Sequence, residues 1–393
     1  MLLKNCRLIP ELSGDTSFCT GDIEIENGII ESVVKSETIT EYAGEIVDIE
    51  GKTVLPGFID LHVHLGLSAG SVLEDNAKSA ATQALEAVKY AQDTLKAGFT
   101  TIRDAGAANG VVTALRDCIN SGKIVGPDII ASGKVLTPIE IGNDYFNGLY
   151  SEFNGSEDAV RYAREEFKAG ADYIKVMGSG AFMNPGGEPG SSIAFDDELK
   201  ALAEIARLKN SYVAMHAHGA SAIKQAIRCN IRTIEHGSLV DEEGIEELKN
   251  GGSYIIPTII GLFTWDEETK SNPKEWKKIE QLLLKIESSM KACYKAGLKL
   301  GFGTDMGVPE CFHGENGKEF IIRHDLIGMK PIDILLQATK YSAEIAMIDH
   351  EVGTVEKGKK ANLVVVDGDP LDDIKCVTNS IFCIYKDGRK INL

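Results

Sequence analysis

Five of the eight histidines stand at the ends of short apolar runs. His62 and His64 close Phe58-Ile59-Asp60-Leu61-His62-Val63-His64, which follows Leu55-Pro56-Gly57. On a strand, residues i and i+2 point to the same face. Two neutral imidazoles on one face make half a site for a borderline metal such as zinc. His216 and His218 share a face in the same way in Ala214-Met215-His216-Ala217-His218-Gly219, so one ring can ligate while the other contacts substrate. His236 closes Thr233-Ile234-Glu235-His236-Gly237. A single histidine of this kind is often a satisfied core residue, but two successive runs that both end in His-Gly favour a ligand.

Two further residues belong with these histidines. Lys175 lies in Tyr173-Ile174-Lys175-Val176-Met177, flanked by apolar side chains. A strand of a parallel barrel is covered on both faces, and lysine is almost never buried unpaired. Lys175 therefore either snorkels to the rim or is neutralised by CO₂. The resulting carbamate is an anion with two oxygens, able to bridge two cations, and burial favours its formation by lowering the amine pKa. Asp305 ends Leu300-Gly301-Phe302-Gly303-Thr304-Asp305. It could bind metal and accept a proton from metal-bound water, or simply cap a helix.

The elements that must position these groups alternate. Candidate strands are 57–64, 100–104, 128–132, 173–177, 212–216, 233–236, 254–258 and 299–303. Amphipathic helices separate them at 76–97, 156–169, 196–209, 220–229, 241–250 and 273–296. Eight strand–helix units favour an α/β fold of the (β/α)8 barrel type. A doubly wound open sheet would want a glycine-rich phosphate loop after the first strand, where this chain has His-x-His. Short strands recur at both ends, from Gly21 to Val34 around the Asn27-Gly28 turn and from Ala361 to Ile391. Neither set is long enough for its own core. The expected division is a small β-sandwich domain made of 1–56 plus 352–393, and a barrel over 57–351.

Composition narrows the partners. The chain has 393 residues, 43% hydrophobic and 25% charged, with a net charge of −18. That is ordinary globular composition, and the acidity argues against nucleic acid or an anionic membrane surface as partner. No run reaches the roughly 18 apolar residues of a membrane span, and the N-terminus shows no signal-type apolar region. Eight scattered cysteines without a Cys-x-x-Cys pair read as reduced thiols of a cytoplasmic protein.

Taken together, these residues resemble the amidohydrolase superfamily, in its binuclear-metal branch with a carboxylated lysine. The run from Val54 to His64 matches the family's opening signature, and the run from Gly353 to Asp367 matches its ending. The chain is most similar to the imidazolonepropionase-related group of Xaa-Pro dipeptidases and basic-residue carboxypeptidases. The stretches that carry this are Thr100–Gly106, Ala169–Met177, His216–Gly219, Arg232–Gly237 and Gly303–Asp305.

The resemblance implies two divalent metal ions, zinc by expectation. His62, His64, carboxylated Lys175 and Asp305 would hold one; Lys175, His216 and His236 would hold the other. A hydroxide would bridge them, and Asp305 would carry its proton to the leaving amine. His218 would polarise the carbonyl or bind substrate. Arg103, Arg323, Tyr145 and His313 are further candidates for substrate contacts, the arginines for a substrate carboxylate. One departure stands out: relatives often carry Gly-Gly-His after strand three, whereas Leu136–Tyr145 contains no histidine. The implied activity is hydrolysis of a dipeptide, of Xaa-Pro or Xaa-Arg/Lys type, by a homo-oligomer. The alternatives are a non-peptide amide, a cyclic amide or an N-acyl amino acid as substrate, or a scaffold without catalysis.

Overall fold

The computed structural model describes residues 1–14, 16–39, 41–181, 190–264 and 273–392. The chain opens with β1 (Leu2–Arg7), β2 (Thr20–Glu26), β3 (Ile29–Lys35), β4 (Ile46–Asp48) and β5 (Thr53–Pro56). Asn27 and Gly28 both have positive φ, 50° and 83°, which is the backbone a two-residue hairpin needs between β2 and β3.

Among the described residues nine strands follow: β6 (Phe58–Val63), β7 (Phe99–Asp104), β8 (Asp128–Ala131), β9 (Val135–Pro138), β10 (Tyr150–Phe153), β11 (Ile174–Met177), β12 (Val213–Gly219), β13 (Thr233–Leu239) and β14 (Tyr254–Ile256). All their pairings are parallel, in the orders β6-β7-β8 and β10-β9-β11-β12-β13-β14. The Asp172 amide donates to the Ala131 carbonyl at 2.7 Å and links the two sets. Strand three is thus split into β8 and β9, and β10 is an addition outside the expected eight.

The eighth position is not a regular strand. Residues 300–306 nevertheless close the barrel, with Gly301 N donating to Ile255 O (3.0 Å), Leu61 N to Phe302 O (2.8 Å), Asp305 N to His62 O (2.8 Å) and His64 N to Met306 O (2.8 Å). A Cβ on Gly301 would sit 2.4 Å from Ile256 Cδ1, so this segment approaches β14 more closely than a side chain allows. The whole is a (β/α)8 barrel with an appended β unit.

Helices cover the barrel where the sequence places them. Ala80–Lys96 starts at Ser79, whose hydroxyl accepts from Thr82 N, and Glu242–Gly251 starts at Asp241, whose carboxylate accepts from Gly244 N. Each satisfies an orphan amide of the first turn. The expected helix at 76–97 is instead two, Val72–Ala77 and Ala80–Lys96, broken where Lys78 is extended. The barrel floor packs Ile59, Leu61, Ile256, Ala343 and Ile345, and the Phe58, Phe99, Phe302 and Phe320 rings cluster at 4.6–6.1 Å.

The chain then returns to its first strands through β15 (Leu363–Val366), β16 (Ile381–Lys386) and β17 (Arg389–Ile391). The resulting sheet runs β17-β16-β15-β5-β1-β2-β3, with β4 on β1. β15 pairs antiparallel with β5, Val364 opposite Leu55. Leu3, Ile23, Ile30, Val54, Leu363 and Cys383 form its core, so neither end makes this core alone. Among the described residues no helix is long and apolar enough to cross a membrane.

Candidate metal centre

The strand ends of the barrel bring two trios of donor atoms together. One atom each of His62, His64 and Asp305 lie within 4.8 Å of one another, as do atoms of His216, His218 and His236. The trios adjoin: the His62 and His236 rings are 4.9 Å apart, and His216 and His236 are 4.5 Å apart. His62, His64, Lys175, His216, His236 and Asp305 all line one cavity of about 60 Å³.

A second contact fixes four of the five rings. His62 Nδ1 meets Glu235 Oε2 at 2.6 Å, and His64 Nδ1 meets the Gly106 carbonyl at 3.0 Å. Both partners are acceptors only, so Nδ1 carries the proton and Nε2 presents a lone pair. His236 Nδ1 meets Thr258 Oγ1 at 2.7 Å, and His218 Nδ1 meets Ser238 Oγ at 2.8 Å. Glu235 is itself held from beneath. Burial would raise its pKa, but Arg103 and His62 outweigh that and keep it well below the usual carboxylate range.

Asp305 is placed by its backbone. His62 O accepts its amide, and Asp60, one residue below Leu61, accepts from Thr304 N and Thr304 Oγ1 at 3.2 and 2.6 Å. Asp305 and His236 both take left-handed φ, 67° and 68°, although neither is glycine. Such residues cost on the order of 1–3 kcal/mol each and tend to cluster at functional sites.

The donors fit divalent cations. His62 Nε2 and His64 Nε2 stand 3.4 and 3.5 Å from Asp305 Oδ1. With both Nδ1 atoms protonated, the two imidazoles turn lone pairs, not N–H donors, toward Asp305 Oδ1. Asp305 Oδ1 and His216 Nε2 are buried without a hydrogen-bond partner among the described residues, a costly state unless a cation completes it. Burial lowers the pKa of every ring, to about 4 for His64 and about 3 for His218, and well below the ordinary value for His62, His216 and His236. The rings are therefore neutral, as ligands must be.

Lys175 is 2% exposed and makes no hydrogen bond or ion pair among the described residues. Burial lowers its pKa, and burial likewise raises that of Asp305. The snorkelling alternative for Lys175 is excluded, since its side chain lies in the cavity and not at the rim.

Other expected contacts are not brought here. Arg103 is fully buried: Nε donates to Leu61 O (2.6 Å), Nη1 to Thr233 Oγ1 (3.0 Å) and Nη2 to Glu235 Oε1 (2.7 Å). Its guanidinium is consumed under the histidines and cannot reach a substrate carboxylate. Arg323 is also fully buried, on Glu319, Gly301 O, Gln337 and Pro257 O. His313 stacks on Tyr90 at 4.7 Å and bonds Leu67 O at 3.0 Å, holding a loop rather than lining the cavity. Tyr145 packs edge-on against Phe146 at 5.1 Å, and Tyr150, not singled out in the sequence, lines the cavity instead. Only the unexpected strand β10 puts Tyr150 there, so no local signal marked it. Glu235 was visible as the residue before His236, but not as the partner of His62.

Comparison with known proteins agrees with this geometry. The amidohydrolase family model matches residues 53–391, and the chain belongs to that family. Its class is that of metal-dependent amide hydrolases. A solved Xaa-Pro dipeptidase with bound methionine is 31% identical, with a TM-score of 0.89 over 100% of this chain and 99% of that one. A prolidase solved with N-methylphosphonate-L-proline is 29% identical, with a TM-score of 0.87 and the same coverage. Ochratoxinase from Aspergillus niger is 26% identical over 91% of this chain and 82% of its own length.

Proposed function

We propose that the chain hydrolyses peptide or related amide C–N bonds with two divalent metals, zinc by preference, as a dipeptidase or carboxypeptidase. The observation that carries this is the pair of adjoining donor trios with Lys175 buried in the same cavity. His62, His64 and Asp305 would hold one metal, His216 and His236 the other, and Lys175 as a carbamate would bridge them. The metals would supply a nucleophile at neutral pH and polarise the scissile carbonyl. Asp305, facing the cavity with Oδ1 unpaired, would move the proton to the leaving amine. His218, its ring fixed by Ser238, would orient the carbonyl.

The absence of histidine from Leu136–Tyr145 favours a second reading, in which the substrate is a non-peptide amide, a cyclic amide or an N-acyl amino acid. The small unit would comprise 1–56 plus 352–393 and the barrel 57–351. Eight free cysteines support a cytoplasmic setting, and the family supports a homo-oligomer.

The test is amino-acid release from L-dipeptides and N-acyl amino acids by protein loaded with zinc in bicarbonate, with metal per chain measured alongside. Release from dipeptides of one C-terminal class is the expected result. A protein holding two metals that releases nothing from dipeptides but cleaves N-acyl amino acids moves to the second reading. Failure to hold more than a trace of metal ends both readings.

A further inference from the structure

The cavity beside the proposed ligands has a second wall. Leu67, Val135, Phe146, Leu149, Met177 and Val308 form it, and all are apolar. Among the described residues that line the cavity, the only carboxylate is Asp305, which faces the histidines. A guanidinium or ammonium group seated against this wall would lose its hydration and gain no partner, which is expensive. An aliphatic or aromatic group would bury its surface at no such cost.

One polar group interrupts the wall. Tyr150 stacks on Phe146 at 4.7 Å with 20° between the rings, so its phenol is held in one orientation. β10 pairs in register with β9, Tyr150 opposite Val135, which anchors its backbone next to the wall. The hydroxyl makes no hydrogen bond among the described residues. Tyr150 is half-buried where it lines the cavity, so its hydroxyl is open to a partner that enters there.

We propose that this wall selects an uncharged, apolar residue or acyl group of the substrate, and that the Tyr150 hydroxyl donates a hydrogen bond to a substrate oxygen beside it. The inference rests on the hydrolase reading and separates its branches: substrates with aliphatic or aromatic side chains are taken and Arg/Lys substrates are refused.

Calorimetric binding of the free amino acids L-leucine, L-phenylalanine and L-arginine, which hold no amide bond to cleave, to the metal-loaded protein tests this apart from turnover. The apolar pair should bind at least about tenfold more tightly than arginine, since they bury side-chain surface without stripping a charge of its hydration. Tyr150→Phe keeps the stack on Phe146 and should weaken the apolar probes by about threefold to tenfold, with metal content and melting temperature unchanged. Arginine binding equal to or tighter than leucine overturns the wall. Unchanged affinity in Tyr150→Phe overturns the hydroxyl. Apolar-selective binding in a protein that cleaves no C–N bond keeps this inference and removes the hydrolase reading.

Discussion

The two sides of the cavity are built from different material. On the metal side, His62, His216 and His236 sit on parallel strands whose backbones are hydrogen-bonded to both neighbours, and the ring nitrogens turned away from the cavity meet Glu235 and Thr258 at 2.6–2.7 Å for His62 and His236. On the opposite wall, Leu67, Leu149 and Val308 come from connections between elements, Phe146 from the end of a single 3₁₀ turn (Asn143–Phe146), and only Val135, Tyr150 and Met177 from strands. The first side is held to the precision that metal ligation demands. The second contributes none of the proposed ligands. A barrel of this kind keeps its chemistry on strand ends and varies its substrate through loops.

Breaking the metal side should have the largest effects. Lys175→Ala removes the proposed bridging group, and metal analysis should find most of the metal gone, with turnover lost as well. A variant that keeps both would refute the carbamate. Asp305→Asn leaves an oxygen donor but no proton acceptor. Turnover should fall by about 10²–10⁴-fold with at least part of the metal retained; full turnover would remove Asp305 as proton carrier.

Glu235→Gln reaches one layer below. It loosens the tautomer of His62 and leaves Arg103 buried without its anion. Metal affinity should fall by about 10–100-fold, and the melting temperature should fall too, since breaking a buried pair costs about 3–5 kcal/mol. A competitive chelator titration and a thermal melt read the two effects separately. Unchanged metal affinity would show that His62 is fixed without Glu235.

The smallest effect belongs to the wall. Met177→Leu conserves volume and should cost less than about 1.5 kcal/mol of stability, with metal per chain unchanged. What should move is the ratio of rates between leucine and phenylalanine substrates, by a few-fold. If metal is lost instead, the two sides are not independent and the contrast between them fails.

The residues proposed as ligands, which the structure brings to one cavity, were legible because a strand end announces itself: an apolar run, then a polar residue at fixed alternation. The barrel followed from counting such runs. The errors have equally local causes. Arg103 follows Ile102 near a strand end, where a charge suggests the rim, but alternation turns it inward and its partner Glu235 lies 132 positions away. Residues 299–303 read as a strand by hydropathy, yet two glycines let the segment close the barrel without regular pairing. The segment 136–150 has no periodicity to read, so neither β10 nor the inward place of Tyr150 could be seen in it. His313 resembles a mouth residue in sequence, but stacking on Tyr90 settles its place.

The pairing of β5 with β15 has a consequence for synthesis. Val54 and Leu55 need Val364 and Val365 as neighbours, and the ribosome delivers those roughly three hundred residues later. At 5–20 residues per second the wait is about 15–60 s. Through that interval the nascent chain carries an apolar strand with one bare edge, a known invitation to wrong partners. Leu55 shares its core with Val364 and Val366 as well as with barrel residues, so both the sheet and that core wait for the C-terminal strands, and a chaperone that guards this chain would be expected to engage β5 first.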